Sequence, residues 1–154
     1  MSHHLVPETA LTALERSARS LQDAVAATEP GRRYAAAHVA ALQATAAVLA
    51  ARARPATPRA RRQRNAWVLL STVAPEFEEW ASFFAAGAAK RAAAEAGSRH
   101  AVTEREADDL VREADHFLAL VERSLGLAQG SVVVTTVPSA LPATRPAGRV
   151  GRAG

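Results

Sequence analysis

The chain has 154 residues and no cysteine, which excludes a disulfide framework and a thiolate metal site. Apolar residues make up 49% of it, much of this alanine, a composition that favours closely packed helices. The formal net charge is +4, but Arg145, Arg149 and Arg152 supply most of the excess, so the composition does not indicate a uniformly basic nucleic-acid binder.

The first predicted helix runs from Glu8 to Ala27, after a flexible N-terminus formed by residues 1–7. That start has neither the basic nor the apolar region of a signal peptide, so we expect a soluble, cytoplasmic protein that does not enter a membrane. Thr12 and Glu15 match a capping box. Apolar residues recur at spacings of three and four and are predicted to face the core: Leu11, Leu14, Ala18, Leu21 and Val25.

The second predicted helix, Gly31 to Arg54, follows a break at Pro30 and Gly31. Its many alanines give a thin, smooth surface that lets neighbouring helices approach closely. We therefore place it at the centre of the bundle. One stripe is predicted to face inward: Tyr34, His38, Leu42, Thr45 and Leu49.

An arginine-rich loop, Arg52 to Arg64, follows this helix and contains two prolines. Two interpretations are open for it. The loop binds nucleic-acid phosphates or a partner protein, or it is a solvated connection whose charges maintain solubility. The first interpretation assigns nucleic-acid binding to four residues: Arg59, Arg61, Arg62 and Arg64.

Two further helices are predicted before residue 100. A short one, Ala66 to Val73, is capped by Asn65, and a longer one runs from about Pro75 to Ala96 and ends at Gly97. Six aromatic residues are expected to supply much of the core volume: Trp67, Phe77, Trp80, Phe83, Phe84 and Phe117.

The last predicted helix begins at a capping box formed by Thr103 and Glu106 and ends near Gly126. Residues 128–154 are rich in proline and glycine and are predicted to form a disordered basic tail. The sequence thus predicts an all-α protein, an up-and-down bundle of four to five helices over residues 8–127.

Several kinds of site are not supported. Histidine and carboxylate residues do not occur at the spacing of a helical metal site, and we expect no metal and no cofactor. Glycine-rich phosphate loops and hydrolase triads are also missing. The acidic residues of the last helix are interpreted as its solvated face: Asp108, Asp109, Glu113 and Asp115.

Arg32, Arg33 and His38 are the remaining candidates for catalysis. An imidazole and guanidinium groups near one phosphodiester can cleave RNA without metal, because the imidazole moves a proton and the guanidinium stabilises the charge on phosphate. Five positions along a regular helix turn about 140°, so Arg33 and His38 converge only if the arginine precedes the regular helix or if a second copy contributes. Alternatively, His38 is a packing residue that is hydrogen-bonded near Tyr34 or Thr45.

The second helix, with its motif R-Y-x-x-x-H-x-A-A-L, resembles the central helix of HEPN domains. The segments WVLL, APEFEEWASFFAAGAAKRAAAE and TEREADDLVREADHFLALVE extend the resemblance to about Leu11–Leu125 and are similar to a small stand-alone branch of the family in high-GC bacteria.

The resemblance implies a bundle of four to five helices that is often a dimer. Many HEPN proteins are ribonucleases of toxin–antitoxin or defence systems, with an arginine and a histidine four to six residues apart. The resemblance therefore implies that His38, Arg33 and Arg32 act on RNA or a nucleotide. It also implies a homodimer, with an antitoxin or a nucleotidyltransferase as a candidate partner. The alternative is a non-catalytic dimerisation or protein-interaction domain.

Overall fold

A computed structural model of the chain describes residues 5–52 and 65–127. Within these ranges the chain forms helices and no strand, which confirms the prediction of an all-α bundle. The predicted tail, residues 128–154, and the four candidate nucleic-acid-binding arginines of the loop lie outside the described residues.

Helix α2, Pro30–Arg52, lies at the centre of the bundle, as predicted, and packs against most of the other helices. Alanines line its contact with helix α1, Glu8–Ala26, and the two backbones come so close that the hydroxyl of Ser17 donates a hydrogen bond to the carbonyl of Ala40 at 2.7 Å. Small side chains on both helices permit this approach. The inward stripe is only partly as predicted, because Tyr34, His38 and Thr45 are buried while Leu42 and Leu49 are half-buried.

The buried face of α1 differs from the predicted one. Leu14 and Leu21 are buried as predicted, but Leu11 is 39% exposed and Val25 67% exposed, and small residues are buried in their place: Ala10, Ser17 and Ala24. The face is rotated because the smooth surface of α2 accepts a partner that is also smooth, so close backbone approach outweighs the burial of larger side chains. The result leaves apolar residues of α1 on the surface.

The predicted start of helix α1 at Glu8 is confirmed, but its predicted capping box is wrong, and helix α2 starts one residue before the predicted Gly31. Helix α1 begins at Glu8 after Pro7, without a side-chain cap, so Thr12 and Glu15 lie inside the helix and form no capping box there. Helix α2 begins at Pro30, which we predicted to be a helix breaker. Proline suits the first turn of a helix, because its fixed φ is helical and the N–H that it lacks would have no helical partner there.

The segment predicted as one helix from Pro75 to Ala96 is broken. A single turn of 3-10 helix, Pro75–Phe77, leads into helix α4, Glu78–Ala86, and Gly87 separates α4 from helix α5, Ala88–Glu95. The short helix before them, α3, has the predicted bounds, Ala66–Val73, and the Asn65 side chain caps it by accepting from the Val68 N–H at 3.0 Å.

Helix α6, Glu104–Ser124, closes the bundle. Its predicted capping box is confirmed, with both hydrogen bonds between Thr103 and Glu106 formed at 2.9 and 3.0 Å. Phe117 is fully buried and packs against Phe77, Trp80 and Phe84 in one aromatic cluster. Gly97 and Gly126, which were predicted to end two of the helices, both have positive φ, as residues that end helices often do.

Among the described residues, α2 is the one helix that is long and apolar enough to cross a membrane, judged by its length and composition alone. Half of its most apolar window is buried inside the bundle. Its apolar character is explained by its central position, since a core helix surrounded by other helices is apolar on several sides.

Candidate functional site

His38 is buried at the centre of the bundle, with 1% of its surface exposed. Its Nε2 lies 2.9 Å from the carbonyl oxygen of Phe84 in α4, and its ring meets those of Trp67 and Phe84 edge to face, with centroids 5.7 and 6.3 Å away. Because a carbonyl only accepts, Nε2 must carry the proton that it donates. The hydrogen bond that we predicted near Tyr34 or Thr45 instead reaches another helix.

The other ring nitrogen of His38, Nδ1, has no hydrogen-bond partner in the described part of the chain. Burial lowers the pKa of His38 below its ordinary value, although the hydrogen bond to Phe84 opposes this shift. Arg91 also lowers this pKa, and Glu95 raises it. The imidazole is therefore neutral at pH 7 and is protonated on Nε2, which leaves Nδ1 as a free base without access to solvent.

Arg33 makes its contacts away from the imidazole. Its guanidinium pairs with the carboxylate of Asp108 in α6, and Nη2 donates to the carbonyl of Ala27 at 2.6 Å. Since α2 is regular from Pro30 onward, Arg33 does not precede the helix, and the turn between positions 33 and 38 directs the two side chains apart. Within one chain, Arg33 ties the α1–α2 connection to α6.

Arg32 lies in a cleft between the start of α2 and the end of α5. The cleft has a volume of about 670 Å³. Its lining carries charges of both signs, positive on Arg32 and Arg99 and negative on Glu29 and Glu95. The exposed Arg32 side chain is thus placed beside the helix that carries Arg91 and Glu95, the charged residues that influence His38. The three candidate catalytic residues do not meet in one open pocket.

Tyr34 explains why position 87, between α4 and α5, is a glycine. A Cβ at Gly87 would overlap the Tyr34 hydroxyl, so only glycine fits beneath it. The Gly87 N–H donates to the Phe84 carbonyl at 3.0 Å, and the same carbonyl accepts from His38. Tyr34 and His38 lie one turn apart on α2 and together contact the α4–α5 junction. We define this arrangement of Tyr34, His38, Phe84 and Gly87 as the junction clamp.

The acidic residues of α6 do more than form a solvated face. The Asp108 carboxylate accepts a hydrogen bond from the Arg33 guanidinium, although the Asp108 side chain is 52% exposed. Glu106 of the capping box also forms an ion pair with Lys90 at 2.6 Å. Neither pair has a local signal in the sequence, because the partners are far apart in the chain. An acid on the outer face of α6 opposite an arginine at the start of α2 becomes visible only once the helices are packed.

A second surface feature is formed by α1 and α6. An apolar groove of about 580 Å³ runs between α1 and α6, and Val25 at its edge is 67% exposed. Arg112 and Asp115 carry opposite charges along it. The groove is bordered by residues of both helices: Ala18, Leu21, Gln22, Val25, Ala26, Val111, Arg112, Asp115 and Leu118.

We expect the stability of the protein to decrease below pH 6.5, because the folded pKa of His38 is lowered. The unfolded imidazole, with a pKa of about 6.5, binds a proton more readily than the folded one. The contribution of His38 is therefore complete above this pH and is lost as the pH falls toward the folded pKa, with a slope of at most about 1.4 kcal/mol per pH unit. Urea unfolding from pH 7.5 to 5.5 measures this slope, and His38→Gln should flatten it. An equal slope in both proteins would contradict the assignment.

Residues 5–52 and 65–127 contain no group of three or more histidine, cysteine or acidic side chains placed to hold a metal ion.

Comparison with known proteins identifies the fold. The family model of the SAV_6107-like HEPN domain matches residues 24–122, nearly two thirds of the chain, which includes the whole junction clamp. No curated protein and no solved structure matches significantly. Together with the helical bundle centred on α2, the match over most of the folded region establishes that the chain belongs to the HEPN family.

Proposed function

We propose that this HEPN domain is a non-catalytic interaction module that forms a homodimer through the α1–α6 groove. This proposal rests on the apolar stripe of α1 that faces outward. Leu11 and Val25 continue the periodic pattern of the helix but are exposed, and Val25 borders the groove. Exposed apolar surface next to a groove is typical of a protein-binding site.

The charges along the groove favour a second copy of the chain as its occupant. A two-fold interface brings the same surface together with itself, so it must be self-complementary. Arg112 and Asp115 lie about one turn apart on α6 and give each copy one charge of each sign. Arg112 pairs with Asp109 of its own helix. In a two-fold dimer it can also face Asp115 of the other copy, while the two Val25 side chains enter the opposing grooves.

The role of His38 in the clamp supports a non-catalytic module. The imidazole is buried and hydrogen-bonded within the chain, and Arg33 is engaged by Asp108. These contacts hold helices together and need no substrate. The motif R-Y-x-x-x-H then acts as a packing motif in this protein, in which each of its three polar positions fixes α2 to a neighbouring segment.

Val25→Glu should weaken the dimer at least about tenfold, because a carboxylate would have to lose its water in an apolar groove. Val68→Glu is the matched control, since Val68 is 45% exposed on α3, outside the groove. Sedimentation equilibrium of the wild type and both variants measures the dissociation constants, and circular dichroism checks the helix content. A chain that is monomeric at every concentration contradicts the dimer and leaves the groove to the antitoxin or nucleotidyltransferase that the resemblance implies.

A metal-independent ribonuclease is the second candidate, favoured by the free Nδ1 of His38 and by the cleft that Arg32 and Arg99 border. In this mechanism His38 would act as acid or base, and Arg33 and Arg32 would stabilise phosphate charge. The arginines of the loop would attract RNA: Arg59, Arg61, Arg62 and Arg64. The imidazole must first become accessible, so this function needs a conformational change that the interaction module does not. Degradation of an unstructured RNA in EDTA is its direct test.

A further inference from the structure

Helix α5 differs from its neighbours in how little of it is buried. Every other α-helix of the described chain has at least two buried residues, whereas α5 has none. A helix of eight residues is not stable in water by itself. It therefore stays folded only through its contacts with the rest of the bundle.

The side chains through which α5 meets the bundle are small or polar. Ala94 lies on Gly31, where an added Cβ would be 3.4 Å from that of Ala94. Lys90 pairs with Glu106 at 2.6 Å, but both side chains are about 40% exposed, and ion pairs at such positions add little stability. Segments with few buried apolar contacts open locally more readily than the core.

The imidazole of His38 lies beneath the start of this weakly held segment. Gly31, Ala35 and His38 are spaced four and three residues apart on α2, so they form one stripe. Gly31 touches Ala94, and His38 at the other end is bonded to the Phe84 carbonyl at the α4–α5 junction. The charged residues whose fields reach the imidazole, Arg91 and Glu95, both belong to α5.

We propose that α5 is a displaceable cover, hinged at Gly87, which opens while the rest of the bundle stays folded and exposes His38 to the cleft of Arg32 and Arg99. Gly87 already interrupts the helix, so rotation there breaks no continuous ladder of hydrogen bonds. Helix α5 contributes no residue to the lining of the α1–α6 groove. It would supply the access that the ribonuclease candidate needs, but it is tested without RNA.

A disulfide across the cover provides the test. The chain has no cysteine, and 3.4 Å between the β-carbons of positions 31 and 94 is close to the separation that a disulfide requires. In the double variant Gly31→Cys, Ala94→Cys, oxidation should lock α5 onto α2. Acylation of His38 by diethyl pyrocarbonate, followed by mass spectrometry, should then be slower by at least about tenfold than in the reduced protein. His116 is exposed on α6 and serves as the internal reference, with an unchanged rate.

Low concentrations of urea separate local opening from global unfolding. Local opening exposes little surface, so the acylation rate of His38 in the wild type should hardly change with urea, whereas global unfolding would make it rise steeply. Amide hydrogen exchange supplies a second measurement that needs no variant, and α5 should exchange faster than α6. Equal acylation rates with and without the disulfide, a steep urea dependence, or equal protection of α5 and α6 would each overturn the proposal.

Discussion

Gly87→Ala is expected to destabilise the bundle by about 1–3 kcal/mol, the usual cost of forcing an extra carbon into a packed site. The added Cβ would overlap the Tyr34 hydroxyl, and Tyr34 is only 7% exposed, so its side chain has little room to move aside. To remove this overlap, the α4–α5 junction must move away from α2, which would also lengthen the hydrogen bond between His38 and Phe84. Urea unfolding of the wild type and the variant measures the loss.

The cause can be isolated by removing the hydroxyl. In Gly87→Ala, Tyr34→Phe the nearest remaining ring atom lies at 3.5 Å from the new Cβ, an ordinary contact, so most of the lost stability should return. The double-mutant cycle should therefore show a coupling of about 1–3 kcal/mol between the two positions. Gly31→Ala is the matched control, because its Cβ would meet Ala94 at 3.4 Å, and it should change stability by less than about 1 kcal/mol. A loss of stability greater than about 1 kcal/mol in Gly31→Ala, or no recovery of stability in Gly87→Ala, Tyr34→Phe, would contradict the junction clamp.

His38→Ala is expected to have the largest effect on stability, about 2–4 kcal/mol. The substitution leaves a cavity between Trp67 and Phe84 and removes a donor from a carbonyl at the helix break. His38→Gln should lose less, because its side-chain amide can place an N–H near the position of Nε2 and donate to the same carbonyl. The order of the two variants thus reports whether the hydrogen bond matters in addition to the volume.

Local signals in the sequence predict a large part of the fold. Asn65, the Thr103–Glu106 box and the glycines at 97 and 126 act through neighbouring backbone groups, and each marks a helix end where it was predicted. The periodic pattern of α6 is also local, and its buried residues follow it closely. Such features depend on a few adjacent residues, so the sequence alone contains the information.

Features that depend on distant residues were not predictable in the same way. The rotation of α1 follows from the alanine surface of α2, and the need for glycine at position 87 follows from the hydroxyl of Tyr34. For the candidate site, the sequence identified His38 as an inward-facing residue of α2 but not its partner in α4, 46 positions away. The pairing of Arg33 with Asp108 spans 75 positions.

The central claim is that His38 acts as a clamp within the bundle, and one set of measurements on the wild type, His38→Gln and His38→Ala tests it most directly. Each protein is unfolded in urea and is also incubated with unstructured RNA in EDTA. We predict that stability falls slightly for glutamine and by about 2–4 kcal/mol for alanine, with no RNA cleavage by any of the three. Unchanged stability in both variants, together with cleavage by the wild type that both substitutions abolish, would contradict the claim and assign His38 to catalysis.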